Sequence, residues 1–303
     1  MNKTWRRTFQ QFAVVLNRVK LPGMAGIGLF SAMKFFWKNL READITIGAT
    51  AMAFRFFFAL FPALILTIIL FRSIPIENLH TELFAFLGHI FPPGSFGFVE
   101  AVIGEFFEKP GVGVISLNVL LLAISATGGI KTMINAFYRN DEVMVRKKFL
   151  RLNLSALLIF FLLISLVILL FILLFAGEWG IASLERDQVI QGGFAIFLAR
   201  FFHSILIVVG LTLAISVVYY FGPHIRNYWG FITPGSVFGA ILMLLAMFVF
   251  RIFISYFSNL NKIYGSISAI MIIMLWFYWI SLVLLIGFEL NRAIARALKW
   301  KED

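Results

Sequence analysis

The 303-residue chain has no cysteine, which excludes disulfides, thiolate nucleophiles and Cys-ligated metal sites. It holds four histidines, and charged residues make up only 14% of it. His80 and His89 are nine residues apart, on opposite sides of a helix, and neither has a second histidine four residues on, so they are not a metal pair. The sequence has no HExxH, P-loop or GxSxG motif, and no GxGxxG in a strand context. Without an ATP-binding motif, any transport is passive, ion-coupled or driven by another protein. Glu178, Glu185 and Asp187 read as a solvated loop rather than an acid–base pair. No internal repeat is evident, which removes the inverted-repeat argument for a transporter. No short apolar run with a small-residue cleavage site follows the basic N-terminus, so the first apolar run is expected to be a retained span.

What is abundant is apolar. Hydrophobic residues are 61% of the chain, with 37 Phe and a mean hydropathy of +0.95. Long unbroken runs of this kind predict an all-α, polytopic helical membrane protein; a β-barrel would alternate in short segments. The formal net charge of +11 raises nucleic acid as a partner. The aromatic residues sit in apolar spans and form no stacking platform, so nucleic acid is not expected.

The stretch Ala49–Leu70 organises the rest. About 20 apolar residues cross a bilayer as a helix, and this run carries one charge, Arg55. At about 100° per residue, Phe54, Phe57, Phe58 and Phe61 share a broad aromatic face, beside a strip of Gly48, Ala51, Arg55, Ala59 and Pro62. The aromatic face suits lipid. The small-residue strip suits a neighbouring helix, and the charge needs protein or water.

Six spans are predicted, at about 47–71, 112–137, 152–176, 194–220, 233–257 and 265–291, within a membrane domain covering 45–297. Residues 1–44 form a basic amphipathic arm with a helical piece at Leu29–Leu40. Two readings fit that arm: an interfacial helix on an anionic leaflet, or positive charge that serves topology alone. Residues 72–111, broken by Pro75, Pro92-Pro93-Gly94 and Pro110-Gly111, read as a helical hairpin on the outer face. Gly177–Gly193 reads as a short outer loop, and 298–303 as a cytoplasmic tail. Lys and Arg concentrate in the N-terminal arm, in the loop after span two (Arg139, Arg146, Lys147, Lys148, Arg151) and in the tail (Arg292, Arg296, Lys299, Lys301). By the positive-inside rule both termini are cytoplasmic.

On this topology Arg55, Lys131 and Glu289 fall in the cytoplasmic half of the membrane, with Arg55 about 12 Å deep. Arg200, His203 and Arg251 fall in the outer half. A carboxylate and two cations at similar depth suit a polar pocket for an anionic headgroup. Structural pairing of Arg55 and snorkelling of Lys131 are the alternatives, the first weaker because Arg55 is deeper. Arg200 and His203, three apart, share a helix face, and with Arg251 they invite a phosphate or else snorkel outward.

Three stretches, AMAFRFFFALFP (Ala51–Pro62), SATGGIKTMINAFYR (Ser125–Arg139) and NLNKIYGSISAIMIIMLWFYWISLVLLIGFELNRAI (Asn259–Ile294), resemble the YihY/BrkB family of bacterial inner-membrane proteins. Gly222-Pro223 and Thr233-Pro234-Gly235 fit its pattern, and Tyr264-Gly265-Ser266, Trp276, Gly287, Glu289 and Asn291 fall at the expected spacings. The resemblance covers roughly residues 35–297. It implies six spans with both termini inside, an old ribonuclease BN label, a virulence or serum-resistance label, and a role in envelope lipid or lipopolysaccharide transport. Arg55 departs from the family pattern, which favours an uncharged residue there. Glu289 and Asn291 match it, as a polar site or as a lock on span six.

The expectation is a non-enzymatic membrane protein that binds or translocates an anionic lipid or other envelope amphiphile. A non-transporting envelope scaffold stands second and a ribonuclease a distant third. Membrane lipids are the expected partners, a homo-oligomer is left open, and no cofactor or metal is expected.

Overall fold

The computed structural model describes residues 29–42, 44–72, 112–138, 148–186, 193–223, 230–257 and 267–302. All of the regular structure among them is helical: α1 (Leu29–Glu42), α2 (Ile45–Arg72), α3 (Val112–Phe137), α4 (Phe149–Arg186), α5 (Gly193–Phe221), α6 (Pro234–Phe257) and α7 (Ile267–Glu302). Helices α2 to α7 each contain a stretch long and apolar enough to cross a bilayer. The chain is thus a polytopic helical membrane protein with six candidate spans. The expected outer hairpin, the first part of the basic arm, and His80 and His89 lie outside the described residues.

Two helices outrun their expected ends. Helix α4 continues to Arg186, so residues 177–186 are helical rather than the loop expected there. Helix α7 continues to Glu302 through the expected tail. An apolar run marks where a helix is hydrophobic, not where its backbone stops, and neither segment contains a proline to stop it.

The helices fall into two compact units. The first contains α1, α4, α5, α3 from Ile134, α6 to Leu245 and α7 from Leu282. Here α4 and α5 run antiparallel, since Gly177 meets His203 and Gly210 meets Leu170. A Cβ at Gly177 would collide with Nε2 of the buried His203 ring and come within 2.6 Å of its Cδ2. A Cβ at Gly210 would meet the flexible end of Leu170. Alanine in place of glycine gains about 1 kcal/mol of helix propensity. Gly210→Ala is therefore expected to be close to neutral in detergent thermal melts. Gly177→Ala is expected to be destabilising by about 1–3 kcal/mol, the cost of overpacking.

The core of this unit is aromatic. Phe137 stacks on Phe288 with centroids 4.0 Å apart, and Tyr219 meets both edge-on, at 5.8 and 5.5 Å. The Tyr219 hydroxyl donates to the Leu284 carbonyl at 2.6 Å, so its polar tip is satisfied in the core. Gly287 lets this ring in, because a Cβ there would sit 2.5 Å from the Tyr219 oxygen and 3.1 Å from the Gly239 Cα. Gly235 and Gly239, four apart on α6, face Gly287 of α7, a close helix crossing of the small-residue kind. Helix α1 docks by the buried Phe36, edge-on to Phe238 of α6 at 6.0 Å, and leaves Met33 and Trp37 exposed.

The second unit contains α2 from Ile47, α3 to Met133, α6 from Ala246 and α7 to Ser281. Phe250 packs on Trp276 (4.6 Å) and Trp279 (6.1 Å), and Phe56 lies 6.4 Å from Phe277. Phe54, Phe58 and Phe61 of α2 are about half exposed, as a lipid-facing side should be. Phe57, expected on the same face, is buried; it sits at that face's edge and turns inward. Of the small-residue strip, Gly48, Ala59 and Pro62 are buried, whereas Ala51 and Arg55 are exposed.

Candidate functional site

Arg55 lies where α2 crosses α3. A Cβ at Gly128 would stand 3.0 Å from its Nη1, and one at Gly129 would stand 2.8 Å from the Phe56 ring and 3.7 Å from the Arg55 Cβ. The glycine pair thus makes a notch in α3 that receives the stem and head of Arg55. Lys131, half-buried, follows Gly128 by three residues, so it is on the same side of α3 about one turn on. Arg55 itself is exposed to the surroundings of an otherwise apolar span.

Glu289 and Asn291 belong to the first unit. Glu289 is buried and forms an ion pair with Arg292, three residues on, with Nη2 3.0 Å from Oε2. Arg292, 1% exposed, is among the largest fully buried side chains in the described residues. From the sequence Arg292 counts only as one of the basic residues of the tail after span six. The i,i+3 spacing to Glu289 was the available signal, and a position next to a run of basic tail residues masked it.

Asn291 caps α6. Its Oδ1 accepts from the Gly235 N–H at 2.7 Å and its Nδ2 donates to Thr233 Oγ1 at 2.8 Å. The rest of this helix start is equally complete. Thr233 Oγ1 accepts from the Ser236 N–H at 3.1 Å, and Ser236 Oγ accepts from the Thr233 N–H at 3.0 Å, a reciprocal capping box. Pro234 occupies the first turn and has no N–H to satisfy. Asn291 thus holds α7 to the head of α6, which is a structural task.

In the expected outer group, His203 is buried against Gly177 of α4. Arg200 is exposed, so the two residues share a face only in part. Arg251 is exposed and belongs to the second unit, whereas Arg200 and His203 belong to the first. Among the described residues, no group of three or more His, Asp or Glu could hold a metal ion.

A family model described as virulence factor BrkB matches residues 36–303. A ribonuclease-like protein of Bacillus subtilis (strain 168) is 24% identical over 259 residues, 83% of this chain and 90% of that protein. A UPF0761 membrane protein of Azotobacter vinelandii is 24% identical over 279 residues, 88% of this chain and 65% of its own length. Another, from Chlorobium phaeobacteroides, is 26% identical over 260 residues, 84% of this chain and 55% of its own. The chain therefore spans less than two-thirds of these two UPF0761 relatives. No solved structure matches it.

Proposed function

The chain belongs to the virulence factor BrkB family, and on that premise we propose that it is a non-enzymatic protein of the bacterial inner membrane that binds, and in doing so handles, an anionic lipid. The observation that carries this reading is Arg55. An arginine well inside an apolar span needs a counter-charge or water, and its guanidinium matches a phosphate with paired donors. Its notch at Gly128 and the neighbouring Lys131 supply a second cation and fixed geometry. The excess of Lys and Arg in the arm, the loop after α3 and the end of α7 supports both termini being cytoplasmic. The ribonuclease-like name belongs to the Bacillus relative and is not carried over to this chain.

The test is native mass spectrometry of the full chain released from phosphatidylglycerol nanodiscs. The wild type should retain an anionic phospholipid. Arg55→Ala should lower its occupancy about ten-fold or more, the worth of a charged hydrogen bond, and Lys131→Gln by less. If neither form retained a lipid, the scaffold reading would take its place. The glycine-on-glycine crossing of α6 and α7, sealed by Asn291, is the observation that favours a rigid scaffold.

A further inference from the structure

We infer that the second unit carries a groove for one acyl chain of a membrane lipid. The groove is a cleft of about 480 Å³, half-open, between α2, α6 and α7. Thr50 and Phe54 of α2, Phe253 of α6, and Met271, Leu275 and Tyr278 of α7 are in its lining. Each belongs to a stretch apolar and long enough to cross a bilayer, so the groove lies at the depth of the hydrocarbon. Its wall is almost wholly apolar, and it falls within the range of about 300–1,000 Å³ typical of ligand pockets. From Met271 to Tyr278 the α7 wall is about 10 Å long at 1.5 Å per residue.

Chemistry at that depth narrows the occupant. Water has no partners on such a wall, and a charged or polar ligand would lose its hydration without return. A lipid tail gains no hydrophobic free energy by leaving other tails, but it gains dispersion contacts that an unfilled concave wall lacks. Met271 and Met274, unbranched and polarizable, can adjust to a chain of varying conformation. Phe54 and Met271, about half exposed, leave the groove open to the bilayer. The inference deepens the lipid-handling reading and rests on it for the identity of the occupant.

The experiment uses the full chain in nanodiscs containing a phosphatidylcholine or phosphatidylglycerol probe with a diazirine on its acyl chain. After irradiation, adducts are mapped by peptide mass spectrometry. Adducts should concentrate several-fold at the groove over Leu157 and Phe161, which are exposed on α4. Met271→Trp and, separately, Thr50→Phe, both at exposed positions, should bring groove labelling down to the α4 level and leave α4 labelling unchanged. Labelling spread evenly over exposed apolar faces, or unmoved by either filling variant, would overturn the groove. A second copy of the chain seated there would also overturn it, and would show as disulfide-linked dimers of Met271→Cys, the sole thiol in a chain without cysteine. Arg55→Ala in the same nanodiscs separates the two ideas. Groove adducts that persist while anionic-lipid retention is unchanged would remove the headgroup site and keep the groove.

Discussion

Arg292→Met is expected to destabilise the protein by about 3–5 kcal/mol, because it removes the cation that a buried carboxylate faces at 3.0 Å. Glu289 is 5% exposed, Arg292 is 1% exposed, and their charged atoms are 3.0 Å apart. Water cannot reach either group to replace a lost partner. The pair itself need not be worth that much, since two desolvated charges lose much of their attraction to the cost of burial. The double variant Glu289→Leu/Arg292→Met separates these effects. It should recover most of the loss, giving a coupling energy of about 3 kcal/mol or more in a double-mutant cycle, at the top of the range for residues in contact. Unfolding in mixed detergent micelles, followed by circular dichroism, reads all four corners of the cycle. A single variant that loses less than about 1 kcal/mol would mean that Arg292 reaches solvent.

Asn291→Leu is expected to cost about 2–4 kcal/mol by the same measurement, since it removes two buried hydrogen bonds at one helix start. The Gly235 N–H loses its acceptor, and no neighbouring group replaces it because Ser236 and Thr233 already satisfy each other. Asn291→Asp keeps the acceptor for Gly235 but gives up the donor to Thr233 and adds a buried carboxylate two residues from Glu289. It should be at least as damaging as Asn291→Leu. Gly235→Ala approaches the same joint from the other side. Its Cβ would collide with the Gly287 carbonyl and come 2.5 Å from the Asn291 carboxamide. Backbone cannot swing away, so overpacking of about 1–3 kcal/mol is expected there as well. Because both changes disturb one contact, Gly235→Ala and Asn291→Leu combined should cost less than their sum. Additive losses would show that the two residues do not share a joint.

Much of the membrane architecture was legible before any coordinates. A helix must present about 20 apolar residues to cross hydrocarbon, and Ile45–Leu66, Val112–Phe137 and the other candidate spans announce themselves by that length. Local chemistry was legible too. Pro234 suits a first turn and begins α6, Gly222-Pro223 follows the end of α5, and the amphipathic Leu29–Leu40 lies in α1. Helical periodicity placed the exposed Phe54, Phe58 and Phe61 on one face, but put the buried Phe57 there too.

The polar contacts were not legible, because burial and partners from distant parts of the chain decide them. Arg292 reads from sequence as one more basic residue after a span, and only packing within its unit makes it a buried charge paired with Glu289. Asn291 could have lined a pocket; Gly235 and Thr233, 56 and 58 residues away, make it a cap. Arg55 announced itself as an intramembrane charge, yet its notch depends on Gly128 of another helix. Length, hydropathy and periodicity are properties of one segment, so the sequence by itself determined the class, the spans and the candidate charges. Close approach is a property of two segments, so only the tertiary structure decided which glycines admit a neighbour and which charges are buried. It also set Arg55 against Gly128 of α3, with Lys131 one turn further along that helix.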